Sequence, residues 1–500
     1  MSAILAYLPP NIILFCLLLF TAFFGLFFLF QIKRTYWIIY ALIIWFPFES
    51  LILQYAPIDY YAYIKYIPEL LLYSLTIGAW VHYIRNARQI LPKNPLNKWF
   101  VLFVLFACIS LILNQYEPFV WLLGMRQILR FGLIFFVLLF LRLEKPILIR
   151  LLYLGGVMIL FQAVLGLLQY AAGGRLDAYL FSTAVVNIGN TAVLGGIEQF
   201  WTPGSRVFAT MGRYDRLGSL LAIGLSMLFP FLYVLKKQST QYYLYWVASA
   251  IGILALVLTY SRASWIGYVA AVMTMGIILM KDKRIMIAVG AFAACMIGYI
   301  GMFVMVQENV SHIVETPNQS IPERMLEAVS LRAWRESYEG YGRIFFIINT
   351  PRMVVQYHPF FGVGPGNYGG GVAAALLNTE TYDRLKMPFG IENKYGQIDN
   401  SWMSLWGELG TIGLLAYIAL WGASIRAALY VRQRQREKNI LYIFATGLVG
   451  TLVGYMVIGF FGPYFEFRTQ MFYIWILIGI MVLFWREEKK KGDFLTDKWE

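Results

Sequence analysis

The sequence predicts an all-α, polytopic integral membrane protein, and three observations predict it. Of 500 residues, 60% are hydrophobic and 14% charged, whereas a soluble domain has about 45–50% apolar and about 25% charged residues. Apolar runs of roughly 20 residues, the length that crosses a bilayer as a helix, recur along the whole chain. The connections between them alternate, one set rich in Lys and Arg and the short connections of the other set holding few basic residues, as loops sorted to two sides of a membrane do. This pattern excludes a water-soluble domain, a disordered chain, a collagen-like repeat and a disulfide scaffold.

The apolar runs read as about thirteen spans. Taken in order, they lie near 11–31, 36–55, 67–84, 99–114, 119–141, 147–170, 216–235, 241–259, 263–280, 285–306, 401–425, 439–461 and 467–485. The first run lacks a small-residue cleavage pattern, so it reads as a retained span. One set of connections carries Lys33 and Arg34; Arg85, Arg88, Lys93 and Lys98; Arg142, Lys145 and Arg150; Lys236 and Lys237; and Lys281, Lys283 and Arg284. It continues with Arg426, Arg432, Arg434, Arg436 and Lys438, and with the tail from Arg486 to Lys498. The positive-inside rule puts this set and the C-terminus in the cytoplasm, and thirteen spans then put the N-terminus outside. Residues 1–306 hold ten spans and a first outer loop near 171–215. Residues 307–400 form a large extracytoplasmic loop, and 401–500 hold three spans and the basic tail.

The formal charge is +14, from 41 Lys and Arg against 27 Asp and Glu. In a membrane protein this reads as topology and contact with anionic lipid, not as nucleic-acid binding. Cys16, Cys108 and Cys295 lie in apolar runs without ligand spacing, and His82, His312 and His358 form no metal pattern. No metal site and no cofactor is expected.

Charge placed against this background carries the chemistry. Arg126 and Arg130 lie four apart in the fifth span and share a helical face; buried charge of this kind faces a polar partner or cavity, or snorkels to the interface. Ser205-Arg206-Val-Phe-Ala-Thr210-Met-Gly212-Arg213-Tyr-Asp-Arg216 ends the first outer loop. Its arginines lie on the side where basic residues are scarce, and guanidinium suits bidentate phosphate binding. Arg262 follows a short Thr-Tyr-Ser turn, and Arg468 opens the last span; each reads as an interface anchor or as the partner of an acid. The large loop carries irregular apolar positions between Pro322 and Tyr357, which suggest amphipathic helices. Within it lie Arg343 and then Gly362, Gly364, Gly366 and Asn367, glycines at spacing two that let backbone approach a ligand. Asp399-Asn400 precedes the next span, either as a helix cap or, in Asp399, as a general base beside arginines.

In this order, the pieces resemble the O-antigen ligase and Wzy-type polymerase superfamily. The resemblance rests on Arg206 to Gly212 before a span, Thr259-Tyr-Ser-Arg262, Arg343, Pro359-Phe-Phe-Gly-Val-Gly-Pro-Gly-Asn-Tyr368, Asp399-Asn400-Ser401 and Glu408-Leu-Gly410. It implies a GT-C-like, metal-independent glycosyltransferase of the bacterial plasma (inner) membrane. Its substrates are an undecaprenyl-diphosphate-linked glycan and a glycan or lipid-linked acceptor, with membrane lipids and a chain-length regulator or flippase as further partners. It gives Asp399, Arg206 and Arg343 the catalytic roles, and Arg126, Arg130, Arg213, Arg262 and Arg468 contact with the diphosphate. Gly362, Gly364, Gly366, Asn367 and Asn400 shape the loop. Ligases of the superfamily usually carry His where this chain has Asp399, which moves the expectation toward a polymerase. The alternatives are ligase-type transfer of a finished glycan, and a transporter or flippase for an anionic lipid-linked solute.

Overall fold

The computed structural model describes residues 25, 27, 34–180, 185–188, 191–194, 204–235, 239–306, 320–327, 330–435 and 437–496. The expected span near 11–31 lies outside these residues apart from positions 25 and 27.

Helices dominate because long apolar stretches in lipid must satisfy every backbone group within the segment. In chain order they are α1 (Tyr36–Gln54), α2 (Ile58–Ala87), α3 (Asn97–Asn114), α4 (Pro118–Leu129), α5 (Gly132–Leu141) and α6 (Lys145–Ala171). There follow α7 (Tyr214–Val234), α8 (Thr240–Leu258), α9 (Arg262–Met273, continued by a π-turn over Thr274–Leu279) and α10 (Lys283–Val306). The large loop contributes α11 (Ile321–Leu326), α12 (Leu331–Glu339) and α13 (Arg343–Tyr357), and the chain ends with α14 (Ser401–Arg434), α15 (Ile440–Ile458) and α16 (Arg468–Thr496).

Among the described residues nine helices are long and apolar enough to cross a membrane, or ten if the bent pair α4–α5 counts as one. These ten match ten of the expected spans. The expected spans near 67–84 and 285–306 are also helical, inside α2 and α10, but do not belong to the nine. The all-helical expectation has one local exception. Val185–Ile188 (β1) and Thr191–Leu194 (β2) pair antiparallel in the segment between α6 and α7; they are rich in β-branched residues, which suit a pleated strand.

The core runs along the last helix. The membrane-length window of α16 is 89% buried, against 22% for α3, α6 and α8. So α16 is wrapped by the others, while α3, α6 and α8 present their apolar sides outward. Phe46, Phe131 and Phe472 cluster where α1, α5 and α16 meet.

Two breaks depart from the simple span list. The expected span 119–141 is α4 and α5 meeting at 65°, a break that falls at Arg130. The expected span 401–425 is a helix that continues to Arg434 and is interrupted at Gly410, whose φ of 66° and ψ of −173° leave the helical region. Irregular backbone at this depth is tolerated only when buried in protein. Here a loop covers it.

Pro47 shows how a third irregularity is resolved. Proline has no N–H, so inside α1 it leaves the carbonyl four residues earlier without its helical donor. That carbonyl, on Ile43, accepts the Tyr473 hydroxyl at 2.8 Å. The Thr469 hydroxyl donates to Phe46 O at 2.9 Å and the Thr210 hydroxyl to Pro47 O at 2.7 Å. The kink is therefore stitched to α16 and to the segment before α7.

Candidate functional site

The helices alternate in direction, so the ends of α1, α3, α6, α8 and α15 lie beside the starts of α2, α4, α7, α9, α14 and α16. At this one end of the bundle lie both long loops and every arginine singled out from the sequence.

The segment leading into α7 is held by two glutamines inside α6. Gln169 Oε1 accepts the backbone N–H groups of Phe208 and Ala209, both at 2.9 Å. Gln162 Oε1 accepts from the Thr210 hydroxyl at 2.9 Å and its backbone N–H at 3.2 Å. A buried loop must satisfy its backbone, and these side chains do so. Arg206 is fixed by the same segment, only 3% exposed, with its guanidinium over the Tyr214 ring at 4.8 Å. It packs within the protein wall and is not on the open face. Arg213 is half exposed and binds Asp215 at 3.1 Å.

Beside it, Arg343 at the start of α13 forms an ion pair with Asp399, and its Nε donates to the Asp399 carbonyl at 3.2 Å. Their side chains remain 31% and 34% exposed, against 22% and 10% for Arg262 and Glu327, and the pair ties the start of α13 to the end of the large loop just before α14. Asn400 is the cap: its Oδ1 accepts the backbone N–H groups of Trp402 and Met403, both at 3.0 Å, and its amide donates to Phe460 O at 3.0 Å. With the capping work done by Asn400, Asp399 is left facing outward.

The glycine loop has a local use. Gly362, Gly364 and Gly366 have φ of 64°, 100° and 86°, values that side chains other than glycine's rarely tolerate. The backbone they bring close is the protein's own. Val363 and Gly364 N–H donate to the carbonyls of Gly407 and Glu408 at 2.9 and 2.8 Å. Thr411 and Ile412 N–H, freed beyond the break at Gly410, donate to Pro359 and Phe360 at 3.2 Å each. The loop thus supplies the partners that the interrupted α14 lacks. Ser110 and Asn114 of α3 hold its other edge through Phe361 O and Gly362 O. Asn367 bonds within the loop, to Val363 O and Asn378.

Arg126, Arg130 and Arg468 converge on one carboxylate that the sequence reading did not single out. Glu69 of α2, 1% exposed, lies 2.5 Å from Arg126, 3.0 Å from Arg130 and 2.5 Å from Arg468. Arg468 also reaches Glu49 of α1 at 2.7 Å. The spacing of Arg126 and Arg130 was legible; their acid was not, because Glu69 lies 57 residues from Arg126 and 61 from Arg130 in sequence, after Pro68 inside α2. Arg262 is drawn elsewhere, to Glu327 of the large loop at 2.8 Å, which Arg324 also binds at 2.9 Å. It latches the loop to α9.

A water-sized cavity of about 20 Å³ lies behind the glycine loop, lined by Gln127, Ser401, Ser404, Glu408, Tyr417 and Glu466 among others. Glu408 accepts the Gly366 N–H at 2.9 Å and Glu466 the Gly371 N–H at 3.1 Å. Burial pushes the Glu466 carboxyl up to about 7, against the opposing pull of the Gly371 N–H, Arg130 and Gln127. No group of three or more metal-ligating side chains is present among the described residues.

Residues 247–418 match the family described as O-antigen ligase. The match covers roughly a third of the chain and includes the Ser-Arg turn, the large loop, the glycine loop and the break in α14. It agrees with the resemblance read from the sequence, and the similarity is to a family of glycan-transferring membrane enzymes. No curated protein matches the chain.

Proposed function

We propose that the protein is a Wzy-type polysaccharide polymerase. It transfers a glycan from undecaprenyl diphosphate to a sugar hydroxyl of a second lipid-linked glycan, on the extracytoplasmic face of the bacterial plasma membrane. The observation that carries this reading is the Arg343–Asp399 pair, about one-third exposed where the end of the large loop enters the helix bundle, with Arg213 alongside.

The chemistry follows from these groups. Displacement at the anomeric carbon expels a lipid diphosphate, and charge grows on its bridging oxygen as the bond breaks. Preorganised cations aimed at that oxygen stabilise the transition state more than the ground state. Arg343 and Arg213 are exposed enough to touch it, and Arg206 backs them through Tyr214. Asp399 accepts the proton of the attacking hydroxyl as general base; Arg343 holds its carboxylate in place and pairs with the diphosphate as the charge moves. The arginines supply the cationic charge, and we propose that the reaction needs no divalent metal.

Ligase-type transfer is the second reading, favoured by the description of the matched family. The two differ in product. The purified protein, given the undecaprenyl-diphosphate-linked glycan of its host, should yield a ladder of lengths with release of lipid diphosphate, undiminished by a chelator. A single shifted band that requires a different acceptor would establish the ligase reading instead. The absence of any new glycosidic bond would reject both.

A further inference from the structure

One cluster at the loop end of the bundle holds more cations than acids among the described residues. Among the described residues, Lys65, Arg126, Arg130, Arg216 and Arg468 gather around two carboxylates, Glu49 and Glu69, with Asp215 beside Arg216. Arg126, Arg130 and Arg468 are paired as described. The other two have no acid within 4 Å among the described residues. Lys65 has the Tyr61 ring at 6.0 Å; its carbonyl, not its amine, is engaged, by Arg468 at 3.1 Å. Arg216 has the Ser50 hydroxyl at 3.4 Å and the Phe467 ring at 5.5 Å. The nearest carboxylate to Arg216 in sequence, Asp215, is occupied by Arg213 and by the Arg216 backbone N–H.

Cations sheltered from water are costly unless paired, and like charges at short range repel more strongly as the local dielectric falls. The Lys65 amine registers this: burial, then Arg468, Arg130 and Arg126, pull it below the usual lysine range, with Glu49 opposing. The arrangement is that of an anion site whose fixed acids are too few. Guanidinium groups fit phosphate oxygens bidentately, and an ammonium adds a mobile point charge.

We propose that Lys65, Arg216 and Arg468 form a second phosphate-binding site, taking the diphosphate of the acceptor lipid. Arg213 and Arg216 lie three residues apart at the start of α7. Arg213 binds Asp215 on the side of Asp399, whereas Arg216 turns to Ser50 of α1 and Phe467 before α16. One helix start thereby divides two anion sites, one at Arg343–Asp399 for the donor and one at Lys65–Arg216 for the acceptor. Glu69 is the positioning residue of the second site, since it fixes Arg468. This assignment rests on the polymerase reading, in which both substrates carry a lipid diphosphate.

The test uses the full-length protein in nanodiscs of phosphatidylcholine, with inorganic pyrophosphate as the probe in calorimetry. Two pyrophosphates should bind. Lys65→Gln and Arg216→Gln should each weaken one of them about 10- to 100-fold, the range for a hydrogen bond to a charged group, and leave the other. Lys65→Arg, which keeps the charge, should retain both and guards against misfolding. Unchanged binding in Lys65→Gln and Arg216→Gln overturns the site. Loss of the second pyrophosphate when phosphatidylglycerol is added at bilayer levels assigns the site to an ordinary phospholipid headgroup and overturns the acceptor role. Binding is read without turnover, so a protein that binds two pyrophosphates and makes no glycan ladder refutes the polymerase reading and keeps the second site.

Discussion

Glu69 and Asp399 show that similar carboxylates beside arginines do different work because of where they sit. Glu69 is enclosed by three guanidinium groups that are themselves only 11–25% exposed, so removing it leaves largely sheltered charges without their acid. Glu69→Ala should destabilise the protein by about 3–5 kcal/mol, the usual consequence of breaking a buried pair from one side, seen as a lower unfolding temperature in detergent. Asp399 is one-third exposed, and its loss leaves Arg343 solvated. Asp399→Asn should fold normally and lower turnover about 10²- to 10⁴-fold, the worth of a general base, with the acceptor KM changed far less than kcat. An Asp399→Asn protein with full activity would remove it from the chemistry. The sequence marked Asp399 through its neighbours Asn400 and Ser401. It did not mark Glu69, whose significance comes only from three arginines brought to it by α4 and α16.

The break in α14 and the glycine loop form one element made from two distant segments. Gly410 adopts a conformation that disfavours side chains, and a Cβ there would run into the Phe360 carbonyl carbon at 2.5 Å. Gly410→Ala should therefore release the loop: limited proteolysis should cut between Pro359 and Tyr368 in the variant and not in the parent. Protection equal to the parent's would mean that the loop is held by α3 alone. Glu466 gives the same element a pH dependence. Its carboxyl is raised to about 7 in the folded protein from about 4.3 when unfolded. The folded state therefore holds the extra proton between these values. Stability should be highest below the lower value, fall as pH rises through the window, and level off above about 7. Glu466→Gln should flatten the thermal-unfolding profile across this window. The glycine spacing was legible in the sequence as a device for close approach. That it approaches a helix break could not be read, because Gly410 alone looks like any tolerated glycine of a membrane helix.

At the scale of the whole molecule, the alternation of charge fixes a sidedness that can be checked directly. In a cysteine-free background, Lys394→Cys in the large loop should react with a membrane-impermeant thiol reagent in intact cells. Lys489→Cys in the tail should react only after permeabilisation; the reverse pattern would invert the molecule and move the proposed site to the cytoplasm. The sequence by itself determined the class of the protein, ten of its membrane-length helices and the loop end where the arginines collect. These depend on local composition, and a bilayer imposes nearly the same length and apolarity on every span. Only the tertiary structure decided which arginines are spent on buried acids, which latch the loop, and that Arg216 has no acid within 4 Å among the described residues. That depends on carboxylates far away in sequence: Glu69 for Arg468, Glu327 for Arg262 and Asp399 for Arg343. Pairing of buried charge is a short-range energy between side chains that the chain's path alone brings together, and no spacing along the sequence encodes it.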